Sequence, residues 1–400
     1  MANMANQEEF KVFYETNLKP KLIIFEKQRK SIVRSLILVL ISYGVLMIFA
    51  ASLMAWDDNW TLELMIVMTF ISVWLLFFSD KMSLVYVVLL LFLIIVIATY
   101  QGSQFWVLTS IIIMIILTLG VKFFYSLAIS PYQQNFKKEI VGGITTFIDE
   151  NLTYEAEKKI PREEFQASRF FEDMYGRAID QWTGEDYVEG TLGKTAVKWS
   201  EVKAEEYETD SQGDSHYNTL FKGLFFIFDF HIDFEGITVI LPKYVKPSFL
   251  SRFVRKKSQP WIAQTAHLKL VELTNPAFER EFMVYSDSPI MARYVLSTPF
   301  MHRLLVFRNR LNKPVYLSFA NGKLYVAISV SKDLFEPTVF RTLLNFKLIQ
   351  EFFEYLRLGK EIVEDLKTFL KEPNQYLPAV SSPFEKEPEL EKFQTNFINF

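Results

Sequence analysis

The chain has 400 residues, of which 50% are hydrophobic and 22% are charged, and its formal net charge is −3. This acidic balance excludes broad nonspecific binding of nucleic acid, which requires a surplus of Lys and Arg facing the phosphates. Because the chain contains no cysteine, disulfides, thiol nucleophiles and thiolate metal sites are excluded as well.

Residues 1–34 form a charged, helix-like stretch, for which we predict a cytoplasmic N-terminal helix. Four apolar runs follow, at Ser35–Ser52, Leu64–Phe78, Leu84–Tyr100 and Phe105–Leu127. Since a helix of roughly 20 apolar residues crosses the hydrocarbon layer of a membrane, we expect a transmembrane module of four helices over residues 35–127. The second run is the shortest of the four, and whether it spans fully is left open.

The charges around the first apolar run predict an orientation. Lys27, Lys30 and Arg34 precede this run, whereas Asp57 and Asp58 follow it. The excess of positive residues on the cytoplasmic side of membrane proteins places the N-terminus inside. With an even number of spans, the region after residue 130 is expected on the same side.

Beyond residue 130, charges are interspersed among shorter apolar runs, which predicts a cytoplasmic α+β domain over residues 130–370. Helical spacing covers Asn135–Leu152, Pro161–Met174, Ser288–Arg310 and Thr338–Leu370. Residues rich in β-branched and aromatic side chains predict a mainly antiparallel sheet from strands at Asp186–Thr191, Thr195–Tyr207, Leu220–Phe234, Gly236–Leu241, His267–Leu273 and Glu281–Ser286.

Two further features complete the predicted organisation. Pro314–Phe319 and Lys323–Val330 are joined by Ala320-Asn321-Gly322, a sequence typical of a tight β-hairpin turn. Residues 371–400, which begin with repeated Pro and Glu, are predicted to form a flexible tail.

Several short stretches of the chain resemble one protein family. They are Phe221-Lys222-Gly223-Leu224-Phe225, Phe278–Tyr285, Ala292-Arg293-Tyr294-Val295-Leu296-Ser297 and Met301-His302-Arg303-Leu304-Leu305. Through them, the region from about Asn135 to Leu370 is similar to family 3137 of the domains of unknown function, DUF 3137, whose members are bacterial membrane-anchored proteins. The resemblance implies a bacterial membrane-anchored protein and supplies no reaction and no catalytic residues. Together with the four apolar runs and the charges around them, it leads us to expect a multi-pass protein of the bacterial inner membrane with both termini in the cytoplasm.

The strongest candidates for a catalytic or metal-binding site in the sequence are Asp229, His231 and Asp233. Their i, i+2, i+4 spacing within a predicted strand places all three on one face of the sheet. Carboxylates beside an imidazole could bind a metal or perform acid–base chemistry, so a membrane-bound, metal-dependent hydrolase is one alternative function. We favour the other interpretation, an ordinary strand with one apolar and one wet face, because apolar residues alternate with these three.

A basic segment with aromatic residues is a candidate contact for a lipid surface. Its residues are Phe249, Arg252, Phe253, Arg255, Lys256 and Lys257. Such a segment could place its rings among lipid headgroups and its cations near the phosphates. The favoured interpretation is a solvated basic loop, because the apolar face is short for stable binding to a membrane.

Other enzyme signatures are missing from the sequence. Gly193-Lys194-Thr195 resembles the end of a phosphate-binding loop, but Val188 occupies the position of the required glycine. The four histidines lack zinc-protease spacing. No ionisable residue lies centrally in the apolar runs, which argues against an ion or proton pathway. A small-solute transporter or channel is the second alternative function. We therefore expect a non-enzymatic membrane anchor or scaffold that needs no cofactor, contacts the lipid bilayer, and binds an unidentified protein partner but no nucleic acid.

Overall fold

The computed structural model describes residues 2–54, 129–170, 179–209, 215–229, 236–243, 268–337 and 339–370, with the backbone alone described at 2–6, 39–54 and 365–370. The chain divides into two compact units. Unit 1 comprises Met1–Ala156 and Asp333–Leu356, and unit 2 comprises Glu157–Lys332 and Arg357–Phe400.

The helices and strands of the described residues are named in chain order. The helices are α1 (Ala2–Phe13), α2 (Lys19–Met54), α3 (Gly142–Ile148), α4 (Arg162–Gln166), α5 (Pro276–Glu281), α6 (Pro289–Val295), α7 (Thr298–Leu311) and α8 (Phe346–Leu370). The strands are β1 (Leu152–Glu155), β2 (Gln181–Leu192), β3 (Thr195–Thr209), β4 (Ser215–Asp229), β5 (Thr238–Pro242), β6 (Lys269–Leu270), β7 (Phe282–Ser286), β8 (Val315–Ala320) and β9 (Lys323–Ser329). Short π-helical turns at Tyr14–Leu18 and Lys137–Val141 precede α2 and α3.

The predicted membrane module is corrected by the structure. Among the residues described, no helix has both the length and the apolar sequence needed to cross a membrane. Helix α2 contains the first apolar run, but its side chains are described only to Leu38, and up to that point charged residues recur along it from Lys19 to Arg34. The finding contradicts the expected four-helix module and the multi-pass inner-membrane location based on it. The second, third and fourth apolar runs lie outside the described residues.

Aromatic stacking organises the interior of unit 1. The ring of Phe10 in α1 stacks on that of Phe353 in α8, with the ring centroids 4.0 Å apart. Phe13 stacks in the same way on Phe147 of α3, at 4.3 Å. Because stacked aromatic pairs contribute beyond the apolar area they bury, these contacts hold the first helix against elements that are distant in the sequence.

One ion pair and one hydrogen bond to a buried carboxylate attach residues 333–345 to the rest of unit 1. Glu26 of α2 is 5% exposed and accepts hydrogen bonds from the Arg29 guanidinium at 2.7 Å and from the backbone N–H of Leu343 at 3.1 Å. Lys137 is 4% exposed, and its Nζ lies 2.6 Å from Oε1 of Glu336. Charges removed from water require such partners, so these contacts fix the connection that leads into α8.

An antiparallel sheet forms the centre of unit 2. From β2, its strands lie in the order β2-β3-β4-β9-β8-β5-β7-β6. In β4, the neighbouring residues Phe225 and Phe226 are both fully buried. Successive side chains of a strand point to opposite faces, so the sheet is covered on both sides.

Different elements cover the two faces of this sheet. Phe165 of α4 packs on the face that carries Phe221 and Phe225. On the opposite face, Trp199 and Phe226 lie with their ring centroids 5.7 Å apart, and Gly359 of α8 lies directly against the Trp199 ring. Helix α7 borders this second face, beside β8 and β9.

The predicted hairpin is confirmed, and the helix predicted from Ser288 to Arg310 is divided in two. β8 and β9 pair in an antiparallel register from Val315↔Ile328 to Ala320↔Lys323. The chain forms α6 and α7 separately because Ser288 and Ser297 each begin a helix that has proline in its first turn. The observed pairing matches the expected antiparallel sheet, while the predicted tail over residues 371–400 lies outside the described residues.

Candidate functional site

Asp229 is the one member of the predicted Asp229–His231–Asp233 group that lies within the described residues. It is half-buried at the end of β4, where it lies opposite Ala196 of β3 and Lys323 of β9. His231 and Asp233 fall in residues 230–235, which are not described. The predicted grouping of the three side chains therefore stays a prediction.

Charged residues surround the tyrosine that neighbours Asp229. Tyr325 is 3% exposed, and burial raises the pKa of its phenol, with Glu164 and Asp229 raising it further against the opposing effect of Arg169. Lys198 Nζ donates to both carboxylate oxygens of Glu164 at 3.2 Å. A phenol with a raised pKa stays protonated at neutral pH.

A metal centre finds no support in the described part of the chain. No group of three or more His, Cys, Asp or Glu side chains is arranged there to hold an ion. The candidate lipid-contact residues, Phe249, Arg252, Phe253, Arg255, Lys256 and Lys257, all lie in residues 244–267, outside the described residues.

The structure reveals an apolar cleft that the sequence analysis did not predict. It lies in unit 2 between α7, the β8–β9 hairpin and Ile362 of α8, and we name it the α7 cleft. Its lining residues are Phe300, Arg303, Leu304, Phe307, Val315, Leu317, Leu324, Val326 and Ile362. The cavity has a volume of about 40 Å³ and opens partly to solvent.

The local sequence explains how these residues meet. In α7, Phe300, Leu304 and Phe307 follow helical spacing and therefore lie on one face. In the hairpin, Val315 and Leu317 alternate along β8 and share a face of the sheet. Helix α7 is followed by its C-cap residue Asn312, which adopts a left-handed conformation with φ of +50°, and this lets the chain reverse into β8.

The rim of the cleft is basic. Arg303 lines the cleft, and Val306, which is 54% exposed, follows it on the same flank of α7. Arg310 continues this flank, lies over the Phe307 ring at 5.6 Å from the centroid, and forms an ion pair with Glu361 of α8. Helix α7 contains no acidic residue, so this flank presents cationic and apolar groups together.

One family model matches the region that contains the cleft. Residues 219–368 match the family described as "Protein of unknown function (DUF3137)", which confirms the resemblance to that family within these residues. Among solved structures, the crystal structure of the mycobacterial trehalose monomycolate transport factor A, TtfA, is similar at 12% identity, covering 56% of this chain and 97% of that chain with a TM-score of 0.29. No curated protein sequence matches the chain.

Proposed function

We propose that this chain, which matches a family of unknown function, is a non-enzymatic binding protein whose α7 cleft receives an apolar side chain from an acidic segment of a partner protein. The observation that carries the proposal is the open apolar cavity, with the exposed Val306 side chain three residues after Arg303, which lines it. Apolar side chains seated in small pockets with polar rims are typical anchors of protein–protein contacts.

The size of the cavity favours a side chain over a small-molecule ligand. A volume of about 40 Å³ accommodates the end of one apolar side chain. Cofactors and drug-sized ligands occupy pockets of roughly 300 Å³ or more. A protein segment that presents a single anchor residue therefore fits the cleft better than a cofactor does.

The charges of the rim favour an acidic segment. Arg303 lines the cleft and places a positive charge at its edge, whereas the charge of Arg310, farther along the same flank, is balanced by Glu361. A partner carboxylate beside the anchor residue could form a charge-assisted hydrogen bond with such a rim, stronger than a neutral one. Complementary charge would also exclude partner segments that carry Lys or Arg near the anchor.

Selection of a displayed random-peptide library on the full chain tests this proposal. We expect the recovered peptides to carry a large apolar residue within a few positions of Asp or Glu. Val306→Glu should weaken their binding by about tenfold or more, because it places a negative charge on the rim without disturbing a buried side chain.

Ile290→Glu is the matched control, since Ile290 is an 80% exposed apolar residue of α6, whereas the residues that line the cleft belong to α7, β8, β9 and α8. This variant should bind the recovered peptides as the unmodified chain does. Recovery of no peptide, or of peptides whose binding survives Val306→Glu, would contradict the proposal.

A further inference from the structure

The β3–β4 ladder extends past the rest of the sheet. β2 pairs with β3 only as far as Glu205, and β9 pairs with β4 only from Gly223 onward. Beyond these limits, the two strands pair with each other as far as Thr209↔Ser215. We name Glu205–Thr209 and Ser215–Thr219 the β3–β4 arm. Within the described residues, the outer edge of Ser215–Thr219 has no strand beside it.

Two tyrosines occupy one face of the arm. Tyr207 and Tyr217 lie directly opposite each other across the ladder, with their ring centroids 5.3 Å apart and the rings inclined at 62°. Tyr207 is 53% exposed and Tyr217 is 47% exposed. The cross-strand contact holds the two rings in place while leaving about half of each accessible. Such rings can bind a cation over their electron-rich faces.

The charge of the arm is negative. The Asp180 carboxylate accepts the backbone N–H of Tyr207 at 2.6 Å, and the exposed Glu208, which follows Tyr207, adds a carboxylate on the opposite face of the ladder. Glu205 is neutralised by Lys203, whose Nζ lies 2.7 Å from its carboxylate. An acidic surface repels nucleic acid and other polyanions and attracts Lys and Arg side chains.

We infer that the β3–β4 arm binds an extended, basic segment of a partner protein. A Lys or Arg side chain of the segment lies over the Tyr207 and Tyr217 rings, and its backbone pairs with the open edge of Ser215–Thr219. Strand addition at an open edge gives affinity through backbone hydrogen bonds and selectivity through alternate side chains. The arm is separate from the α7 cleft, so the inference does not depend on the proposed function.

A labelled synthetic peptide that alternates Lys and Thr tests the inference by fluorescence anisotropy with the full chain. We expect saturable binding that weakens as salt is added, and no binding of a matched peptide that alternates Glu and Thr. Replacing both rings, Tyr207→Ser with Tyr217→Ser, should weaken binding by about tenfold, because the cation loses both aromatic faces. The double Phe variant keeps the rings and should retain most of the affinity.

Two further variants separate a specific site from general charge attraction. Tyr294→Ser removes an exposed tyrosine of α6 and should leave binding unchanged. Glu208→Lys changes an exposed charge of the arm without altering the rings and should weaken binding several-fold. Equal binding by the unmodified chain and the double Ser variant, once thermal unfolding shows that the variant is folded, would overturn the inference. Absence of saturable binding to the unmodified chain would also overturn it.

Discussion

Gly359 of α8 lies so close to Trp199 of β3 that a Cβ atom built on the glycine would come within 2.9 Å of the indole ring. Trp199 is fully buried, so its ring has little room to move away. The second half of α8 can therefore approach the sheet at this point only because residue 359 has no side chain.

Gly359→Ala should destabilise the protein by about 1 kcal/mol, because overpacking against Trp199 outweighs the higher helix propensity of alanine. Denaturant unfolding measures the change. Gly143→Ala in α3 is the matched control, since the new Cβ would lie 3.5 Å from the Leu18 side chain, an ordinary contact. The control should be neutral or stabilising, and a stabilising effect at both positions would contradict the described packing of Gly359.

Gly223→Ala should reduce stability by about 3 kcal/mol or prevent folding. Gly223 has a φ of +150°, and an added Cβ would meet the backbone carbonyl of Ile328 and lie 2.7 Å from the Val330 nitrogen. Backbone atoms of a central strand cannot move aside without breaking the ladder. The yield of folded protein and its thermal unfolding provide the measurement. Ser329→Ala, which alters the residue paired with Gly223, should change stability by less than about 1 kcal/mol.

Lys137→Met should cost about 2 kcal/mol in unfolding free energy, because it leaves the Glu336 carboxylate without its buried cationic partner. Chemical denaturation of the full chain measures the loss. The neighbouring Lys138 is exposed, so Lys138→Met should lie within about 0.5 kcal/mol of the unmodified protein. Equal effects of the two substitutions would show that the Lys137–Glu336 pair does not contribute.

Glu26 should make the stability of unit 1 depend on pH in the acid range. The hydrogen bonds from Arg29 lower the pKa of Glu26 below its ordinary value of 4.5, and the N–H of Leu343 adds to the effect against burial. The folded state thus binds this proton more weakly than the unfolded chain does. The resulting stabilisation is complete above pH 4.5 and is lost as the pH falls through the lowered pKa.

Measurements of the unfolding free energy between about pH 3 and about pH 7 test this dependence. This range lies on both sides of the ordinary glutamate pKa of 4.5. Glu26→Gln should be less stable at neutral pH and should lose part of the acid sensitivity. Glu9→Gln, at an exposed position of α1, should keep the pH profile of the unmodified chain. An unchanged profile in Glu26→Gln would contradict the assignment.

Local sequence signals predicted the hairpin at Asn321 and Gly322 because the turn itself requires particular residues. Both residues have positive φ values, +53° and +70°, which the two-residue turn demands and which Asn-Gly adopts readily. The helix predicted from Pro161 to Met174 was wrong in its length. Helix α4 ends at Gln166, and Arg169 takes a left-handed conformation. An arginine in the sequence does not indicate a positive φ, which non-glycine residues seldom adopt.

The α7 cleft could not be predicted because its walls come from separate parts of the chain. The spacing of Phe300, Leu304 and Phe307 predicts an apolar helix face. Nothing in that spacing shows which strands or which residue of α8 lie opposite it. The sheet order, in which β9 joins β4 across a long sequence separation, decides that contact.

Strand β4 combines two environments that differ in how readily amide hydrogens exchange with solvent. From Gly223 to Asp229, it has β3 on one side and β9 on the other, and its side chains are largely buried on both faces. From Ser215 to Thr219, it is paired on one side only within the described residues. Exchange of the first segment requires opening of the whole sheet, whereas that of the second requires only local fraying. Amide exchange rates along β4 therefore measure two quantities. Those of Gly223–Asp229 report the global stability of the sheet, and those of Ser215–Thr219 report the local opening of the arm.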